Sequence, residues 1–280
     1  MSAFAELVAA TNFSFLRGAS HPREIVARAA EQGLAAIGIA DRNTLAGVVR
    51  AHVAAKDAGI RLLVGVRLVT TDGFEVACYP TDRAAYGRLT RLLTAGNRCA
   101  VKGECHIQFE DIIAASQGQM FIALPPAVPS PLFNDRLAVL AKAAPGRTYL
   151  AASFHYRGDE RRRLGELAEL ATKTGALLIA TNDVLYHEPA RRQLADVLTC
   201  IREKCTIADA GYRLEANGER YVKSGEEMAR LFAREPFAVA RTVTVAQRIR
   251  FSLEELRYEY PDEPVPPGKT PQQHLEDLTW

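Results

Sequence analysis

The sequence contains little cysteine, and its cysteines show no pairing pattern. The five thiols, at Cys78, Cys99, Cys105, Cys200 and Cys205, form no Cys-x-x-Cys motif. A chain of 280 residues can bury a hydrophobic core without covalent cross-links. A disulfide framework is therefore not expected, and the cysteine content favours a protein of the reducing cytoplasm.

Long apolar runs and an excess of one charge are also absent. Arg or Asp interrupts every hydrophobic stretch, and no signal peptide precedes the first charged residues, so neither a membrane span nor export is predicted. The 35 Lys and Arg residues nearly balance 33 Asp and Glu residues, for a formal net charge of +2. Composition alone therefore indicates no direct nucleic-acid or acidic-membrane partner.

Short apolar segments alternate with segments of helical periodicity over the first 200 residues or so. This alternation predicts an α/β fold, with a parallel or mixed sheet covered on both faces. Seven such units fit a small barrel better than an open sheet. Thr71-Asp72-Gly73 predicts a hairpin turn between the third and fourth strands. The predicted strands span 4–11, 35–41, 60–70, 74–80, 119–126, 147–156 and 176–183. The predicted helices span 21–33, 44–59, 82–97, 109–116, 132–143, 159–174 and 189–203.

The pattern changes near residue 205, and we divide the chain there. Residues 1–205 are assigned to the barrel domain, and residues 206–280 to a helical and Pro-rich extension. The segments 211–232 and 236–256 are expected to contain helices. A last helix starts at Thr270 and stops with the chain, which predicts that the sequence is a fragment of a longer protein.

Polar residues cluster where the predicted strands end, and in barrels the chemistry lies at the carboxyl ends of strands. In the segment GIADRNTLAGVV (38–49), Asp41 occupies a position suited to a metal ligand or a general base. The next residue is Arg42, whose permanent charge excludes cation binding. The strand ends carry Asn12, Asp41 with Arg42, Arg67, Cys78, His155 and Asp183.

The segment NFSFLRGASHPREIVARAAEQGLAAIGIADRNTLAGVVRAH (12–52) resembles the start of the PHP (polymerase and histidinol phosphatase) domain. It is most similar to the version at the N-terminus of bacterial error-prone DNA polymerases related to the DNA polymerase III alpha subunit. The segments LLIATNDVLYHEPARRQLADVLTCIRE (177–203), GYRLEANGERY (211–221) and 251–280 fit that group too. The resemblance covers essentially the whole chain, and it implies a distorted, TIM-like (β/α)7 barrel with a C-terminal helical extension.

Active members of this family hold up to three divalent metals, and their ligand motifs are largely lost here. The resemblance places the His-x-His of the first strand on Val8 and Ala10. The Asp-His after the second strand reads Asp41-Arg42, so the ligand His is replaced. The third-strand Glu falls on or near Arg67. The closing Asp-x-His ends in Leu185. We therefore expect no catalytic residues and no tightly bound metal.

Three residues remain as candidates for a reduced metal site. Asp41, Asp183 and His155 could hold one weakly bound Zn or Mn ion, the metals that the resemblance implies. Without a metal, facing carboxylates would repel each other and be costly to bury. We therefore predict that Arg42, Arg67 or both form ion pairs with Asp41 or Asp183 and replace the charge of the metal.

The resemblance implies the N-terminal domain of a DNA-directed DNA polymerase that acts in translesion synthesis, DNA repair and replication. The domain would be a structural scaffold for the missing palm, which would hold Mg²⁺. DNA would be contacted through the full-length polymerase, together with accessory translesion proteins. The alternatives are a metal-dependent phosphoesterase or proofreading exonuclease with a reduced metal site, and a free-standing interaction module that ends naturally at Trp280.

Overall fold

The computed structural model describes residues 3–256 and 264–280. Residues 257–263 belong to the segment that the sequence analysis assigns to the Pro-rich part of the extension, and they lie outside the described residues. Residues 1–2 lie outside them as well.

Seven strands form one curled sheet in chain order, which confirms the predicted barrel of alternating strands and helices. β3 and β4 form an antiparallel hairpin around the predicted Thr71-Asp72-Gly73 turn, and β4 also pairs antiparallel with β5. The remaining neighbours in the sheet pair in parallel. The strands are β1 (Ala5–Ala9), β2 (Ala36–Arg42), β3 (Leu62–Val69), β4 (Glu75–Pro80), β5 (Gln119–Ala123), β6 (Thr148–Ala152) and β7 (Leu177–Ala180).

The helices follow the predicted segments closely. Within the described residues, no helix is long and apolar enough to cross a membrane. Those of the barrel are α1 (Pro22–Glu31), α2 (Val48–Ala58), α3 (Arg83–Arg98), α4 (Phe109–Ala114), α5 (Pro131–Ala143), α6 (Glu160–Thr174) and α7 (Arg192–Glu203). Those that follow are α8 (Ile207–Ala210), α9 (Gly225–Leu231), α10 (Pro236–Arg248) and α11 (Pro271–Thr279). Short 3₁₀ turns span Pro189–Arg191, Gly211–Arg213 and Leu253–Glu255.

Two apolar layers hold the barrel together, one inside the sheet and one between the sheet and the helices. Inside the barrel, the ring of Tyr79 is fully buried and its Oη donates to the backbone oxygen of Leu7. The ring fits because Gly38 and Gly65 have no side chains, and a Cβ at either glycine would overlap it. The outer layer joins strand residues such as Ile39 to the buried faces of the helices.

The barrel closes between its first and last strands at the carboxyl end only. Val184, just after β7, donates its backbone N–H to Val8 O at 2.8 Å and accepts from Ala10 N at 2.9 Å. Below this contact a slot remains between β1 and β7. In the slot, the buried carboxylate of Glu6 replaces strand pairing. It accepts from Val8 N at 2.8 Å, from Thr181 Oγ1 at 2.5 Å and from Asn182 N at 2.7 Å.

Helix α10 fills the amino end of the same slot. The Thr242 hydroxyl accepts from Ala5 N at 3.1 Å, and Arg241 donates to Leu178 O at 2.9 Å. Val245 and Ile249 are buried with the residues that fill the barrel interior. The division of the chain at residue 205 stays a prediction, and these contacts tie part of the extension closely to the barrel.

Candidate functional site

A cavity of about 130 Å³ lies at the carboxyl ends of the strands, and its wall is dominated by arginine. We call it the arginine cavity. Arg42 ends β2 and lies beside Arg67 of β3 in register, so both side chains emerge from the same face of the sheet. The segment 185–220 covers them with further basic side chains. The arginines that line the cavity are Arg17, Arg42, Arg67, Arg192, Arg202, Arg213 and Arg220.

Four of the positions that the resemblance assigns to lost metal ligands line this one cavity. They are Ala10, Arg42, Arg67 and Leu185. The fifth position, Val8, is fully buried in the barrel interior and does not reach the cavity. The strand ends therefore converge as a barrel requires, although two aliphatic and two guanidinium side chains cannot bind a cation.

Asp183 is held between two arginines. Arg67 donates to its Oδ1 and Arg220 donates to its Oδ2, and both guanidinium groups are largely buried. The prediction that Arg67 pairs with Asp183 is thus confirmed. Asp183 also adopts a left-handed backbone conformation, with φ of 44°, which is uncommon outside glycine. Arg220 Nε fixes that turn by donating to Asp183 O at 2.8 Å.

Two carboxylates that sequence reasoning did not select complete the network. Glu75, at the start of β4, accepts from Arg42 at 3.2 Å and lies 3.5 Å from Arg67. Glu215, in the segment after α8, contacts Arg220 at 2.7 Å. Burial, followed by repulsion from neighbouring arginines, lowers the pKa of Arg67 to about 10 despite the opposing charge of Glu75.

Asp41 takes no part in this network, and Arg42 does not pair with it. Adjacent strand residues point to opposite faces, so Asp41 turns away from the cavity that Arg42 lines. The Asp41 carboxylate, which is 1% exposed, accepts from Thr11 N at 2.7 Å, Thr11 Oγ1 at 2.8 Å and Ser14 Oγ at 2.6 Å. Burial raises the pKa of Asp41, and these hydrogen bonds oppose that shift. Asp41 therefore anchors the loop that follows β1.

His155 follows β6 and lies beside Asp183 in a second cavity, of about 400 Å³. Its Nε2 donates to Asn182 O at 3.0 Å, since a carbonyl oxygen can only accept. Burial, together with the charge of Arg220, lowers the pKa of His155 to about 4. At neutral pH this imidazole is therefore an uncharged hydrogen-bond donor that supports the turn before Asp183.

Two residues of the predicted ring of strand ends lie elsewhere. Cys78 is buried in the apolar layer between the sheet and the helices, where its Sγ contacts Gln119 Oε1 at 3.4 Å. Its strand, β4, runs antiparallel to both neighbours, as the predicted hairpin implies, so its carboxyl end lies at the opposite end of the sheet from those of the parallel strands. Asn12 lies in the loop after β1, and its backbone N–H donates to Ser20 O at 2.8 Å.

The donor set around the arginine cavity does not fit a divalent metal. Zinc and manganese sites need several His or carboxylate ligands around one point. In residues 3–256 and 264–280, no group of three or more His, Cys, Asp or Glu side chains could hold a metal ion. Asp41, Asp183 and His155 are each engaged by different partners, and the structure does not bring them together as one ligand set.

Comparison with known proteins agrees with this arrangement of strands. A model of the PHP domain family matches residues 6–239. The error-prone DNA polymerase of Caulobacter vibrioides is 56% identical over 278 residues, which is 99% of this chain and 26% of the relative. That of Brucella abortus is 51% identical over 286 residues, which is 100% of this chain and 27% of the relative. The chain spans about a quarter of the length of the curated relatives it matches.

Two solved structures share the fold. A protein of Bifidobacterium adolescentis described as a metal-dependent phosphoesterase aligns with a TM-score of 0.53 at 14% identity, over 84% of this chain and 97% of its own. An amidohydrolase of Chromobacterium violaceum, solved with sulfate and no metal, aligns with a TM-score of 0.50 at 17% identity, over 66% of this chain and 88% of its own. At these identities the likeness concerns the fold alone.

Proposed function

Since the chain belongs to the PHP domain family, we propose that it acts as the non-catalytic PHP domain of an error-prone, translesion DNA polymerase in the cytoplasm. The domain would stabilise the polymerase palm, and DNA would be bound by the whole polymerase, whose palm would hold Mg²⁺. Support comes from relatives named error-prone DNA polymerase that match 99% or more of this chain. Accessory translesion proteins are proposed as partners of the whole polymerase.

The two ion pairs of Asp183 are the main support for a non-catalytic domain. This carboxylate is 20% exposed, and both of its oxygens are bound by guanidinium groups. A metal ion could use Asp183 only by displacing Arg67 and Arg220 or by lying beside two fixed positive charges. Either arrangement is unfavourable, because like charges at close range in a partly buried site repel strongly. The arginines thus supply the positive charge that metals would supply elsewhere.

The alternative, a phosphoesterase or proofreading exonuclease with a reduced metal site, requires a weakly bound Zn or Mn ion. Its ligands would be Asp41, Asp183 and His155. Asp41 already accepts from backbone and hydroxyl donors, and both oxygens of Asp183 are bound by guanidinium groups. These contacts favour the scaffold over the enzyme.

Metal content and hydrolysis of the purified chain test the choice between scaffold and enzyme. The chain is stripped with EDTA, reloaded with zinc or manganese, and assayed by elemental analysis and on a generic phosphodiester. We expect well below one metal per chain and no turnover. Stoichiometric metal, with hydrolysis that is lost in Asp183→Asn, would establish the enzyme instead.

The same variant measures the structural role of the ion pairs. Asp183→Asn removes the carboxylate that the two buried guanidinium groups share and leaves each with one other partner, Glu75 for Arg67 and Glu215 for Arg220. We therefore expect the free energy of unfolding to fall by about 3 kcal/mol. Glu166→Gln is the matched control, since Glu166 pairs with Arg162 on an exposed helix face and should change stability by about 0.5 kcal/mol or less. Equal losses in the two variants would contradict the role of Asp183.

A chimera tests the polymerase part of the proposal. This chain replaces the matching residues of the Caulobacter vibrioides polymerase, and primer extension is measured. We expect the chimera to extend primers, and the Asp183→Asn chimera to lose activity at the temperature at which its PHP domain unfolds. A folded chimera without primer extension would contradict the proposal.

A further inference from the structure

The arginine cavity carries more positive charge than its ion pairs neutralise. Seven arginines line it, and five carboxylates form ion pairs with them. Two guanidinium charges therefore remain in excess at the place where the strand ends converge. The five paired carboxylates are Glu75, Asp183, Asp196, Glu203 and Glu215.

The two excess charges can be assigned to residues. Within the part of the chain that the structure describes, Arg17 and Arg213 form no ion pair, whereas each of the other five lining arginines contacts a carboxylate. Arg17 is half-buried and lies close enough to Arg42 and Arg202 for their charges to oppose its own. An anion in the cavity would relieve this repulsion.

Unpaired donors point to the same place. Arg67 Nε and Tyr186 Oη are buried and make no hydrogen bond to any described residue. Both belong to side chains that line the arginine cavity. A buried donor that lacks a partner costs about 1–3 kcal/mol, so two of them in one wall indicate that an acceptor belongs there.

The size of the cavity limits what that acceptor can be. Its volume is about 130 Å³. A cavity of about 150 Å³ holds a molecule the size of benzene, whereas pockets for larger ligands start near roughly 300 Å³. A tetrahedral phosphate group fits this space, and a whole nucleotide does not.

We propose that the arginine cavity binds one phosphate-type dianion without a metal ion, either as free phosphate or as the terminal phosphate of a nucleotide or DNA strand. Guanidinium groups are planar, permanently charged and suited to pair with phosphate oxygens through two hydrogen bonds at once. The two excess charges match a dianion better than a monocarboxylate. The inference goes beyond the scaffold role, which needs no ligand.

Isothermal titration of the whole chain with sodium phosphate in EDTA tests the proposal. Sodium chloride at equal ionic strength is the reference. We expect one phosphate per chain, and binding at least about tenfold weaker in the double variant Arg17→Gln/Arg213→Gln. The matched control is Arg91→Gln/Arg161→Gln, which removes the same charge from two exposed arginines outside the cavity and should keep the native affinity within about twofold.

Further titrants distinguish the two sources of the phosphate. If the cavity takes free anions, inorganic phosphate will bind at least as tightly as a 5′-phosphorylated oligonucleotide. If it takes strand ends, that oligonucleotide will bind more tightly than its 5′-hydroxyl counterpart, and the difference will vanish in Arg17→Gln/Arg213→Gln. Either result supports the site.

Three results would overturn the proposal. They are no phosphate binding above the chloride reference, equal losses in the two double variants, and binding that requires added metal. Arg213→Gln alone should also weaken phosphate binding, and because Arg213 is exposed, its replacement should leave the chain folded. The metal content that tests the scaffold role is measured separately, so either idea can fail without the other.

Discussion

At the scale of single residues, His155 links the site to the stability of the fold. Burial and the charge of Arg220 lower its pKa to about 4, whereas an unfolded chain protonates histidine near pH 6.5. Between these two values the unfolded state binds more protons than the folded state. The contribution of neutral His155 to the free energy of unfolding is therefore complete above pH 6.5 and is lost as the pH falls toward 4.

His155→Asn should remove this pH dependence, because the amide keeps a donor for Asn182 O and does not titrate. Relative to the variant, the native chain should lose roughly 3 kcal/mol of unfolding free energy between pH 7 and pH 4. Urea unfolding at several pH values measures the difference, from which groups common to both proteins cancel. One such group is Glu6, whose pKa burial raises. His52→Asn, on helix α2, is the control. A profile in His155→Asn that matches the native chain would refute the role of His155.

The site shows which residue contacts a sequence can reveal. The Arg67–Asp183 pair follows from two strand ends that a barrel must bring together. Arg220 and Glu215 come from the irregular segment after α8, whose position no periodicity determines. The position of strand ends alone predicts Asp41 as a site residue, because it does not take into account that successive side chains of a strand point to opposite faces. Its side chain faces away from the cavity because its neighbour Arg42 faces into it.

At the scale of elements, the hydrophobic pattern determined almost every strand and helix of the barrel. The Thr71-Asp72-Gly73 turn also predicts the hairpin by which β4 runs antiparallel to its neighbours in the sheet. The role of α10 could not be predicted, because its partners are the unpaired edges of β1 and β7 rather than a neighbouring helix. The edge of β1 exposes a backbone N–H at Ala5, and the Thr242 hydroxyl accepts from it.

Thr242→Val tests how far α10 completes the sheet. The substitution keeps the shape of the side chain and leaves Ala5 N buried without an acceptor, so the free energy of unfolding should fall by about 1–3 kcal/mol. Thr172→Val is the matched control, since the Thr172 hydroxyl bonds only within its own exposed helix at Ala168 O. Chemical denaturation of both variants measures the difference. If Thr172→Val costs as much as Thr242→Val, the loss reflects threonine in a helix rather than closure of the barrel.

At the scale of the whole molecule, two segments after residue 205 contact the barrel closely. The segment around Arg220 binds the turn at Asp183, and α10 seals the opposite end of the slot between β1 and β7. Val245 and Ile249 are fully buried, and each side chain contributes about 1.5–3 kcal/mol through burial. Helix α11, in contrast, has no buried residue. The sequence boundary at residue 205 follows a change of pattern, which need not coincide with the limit of a folding unit.

Comparing three chain lengths tests whether the folding unit ends at residue 205 or includes α10. We expect residues 1–256 to unfold cooperatively within a few degrees of the full chain, because helix α11, which this truncation removes, has no buried residue. Residues 1–205 lack α10 and Arg220, so they should show no cooperative transition, since the barrel interior and the buried Asp183–Arg67 pair are left open to water. Thermal unfolding followed by circular dichroism makes the comparison. A 1–205 chain that melts like the full protein would establish residue 205 as the domain boundary and reduce α10 to a later addition.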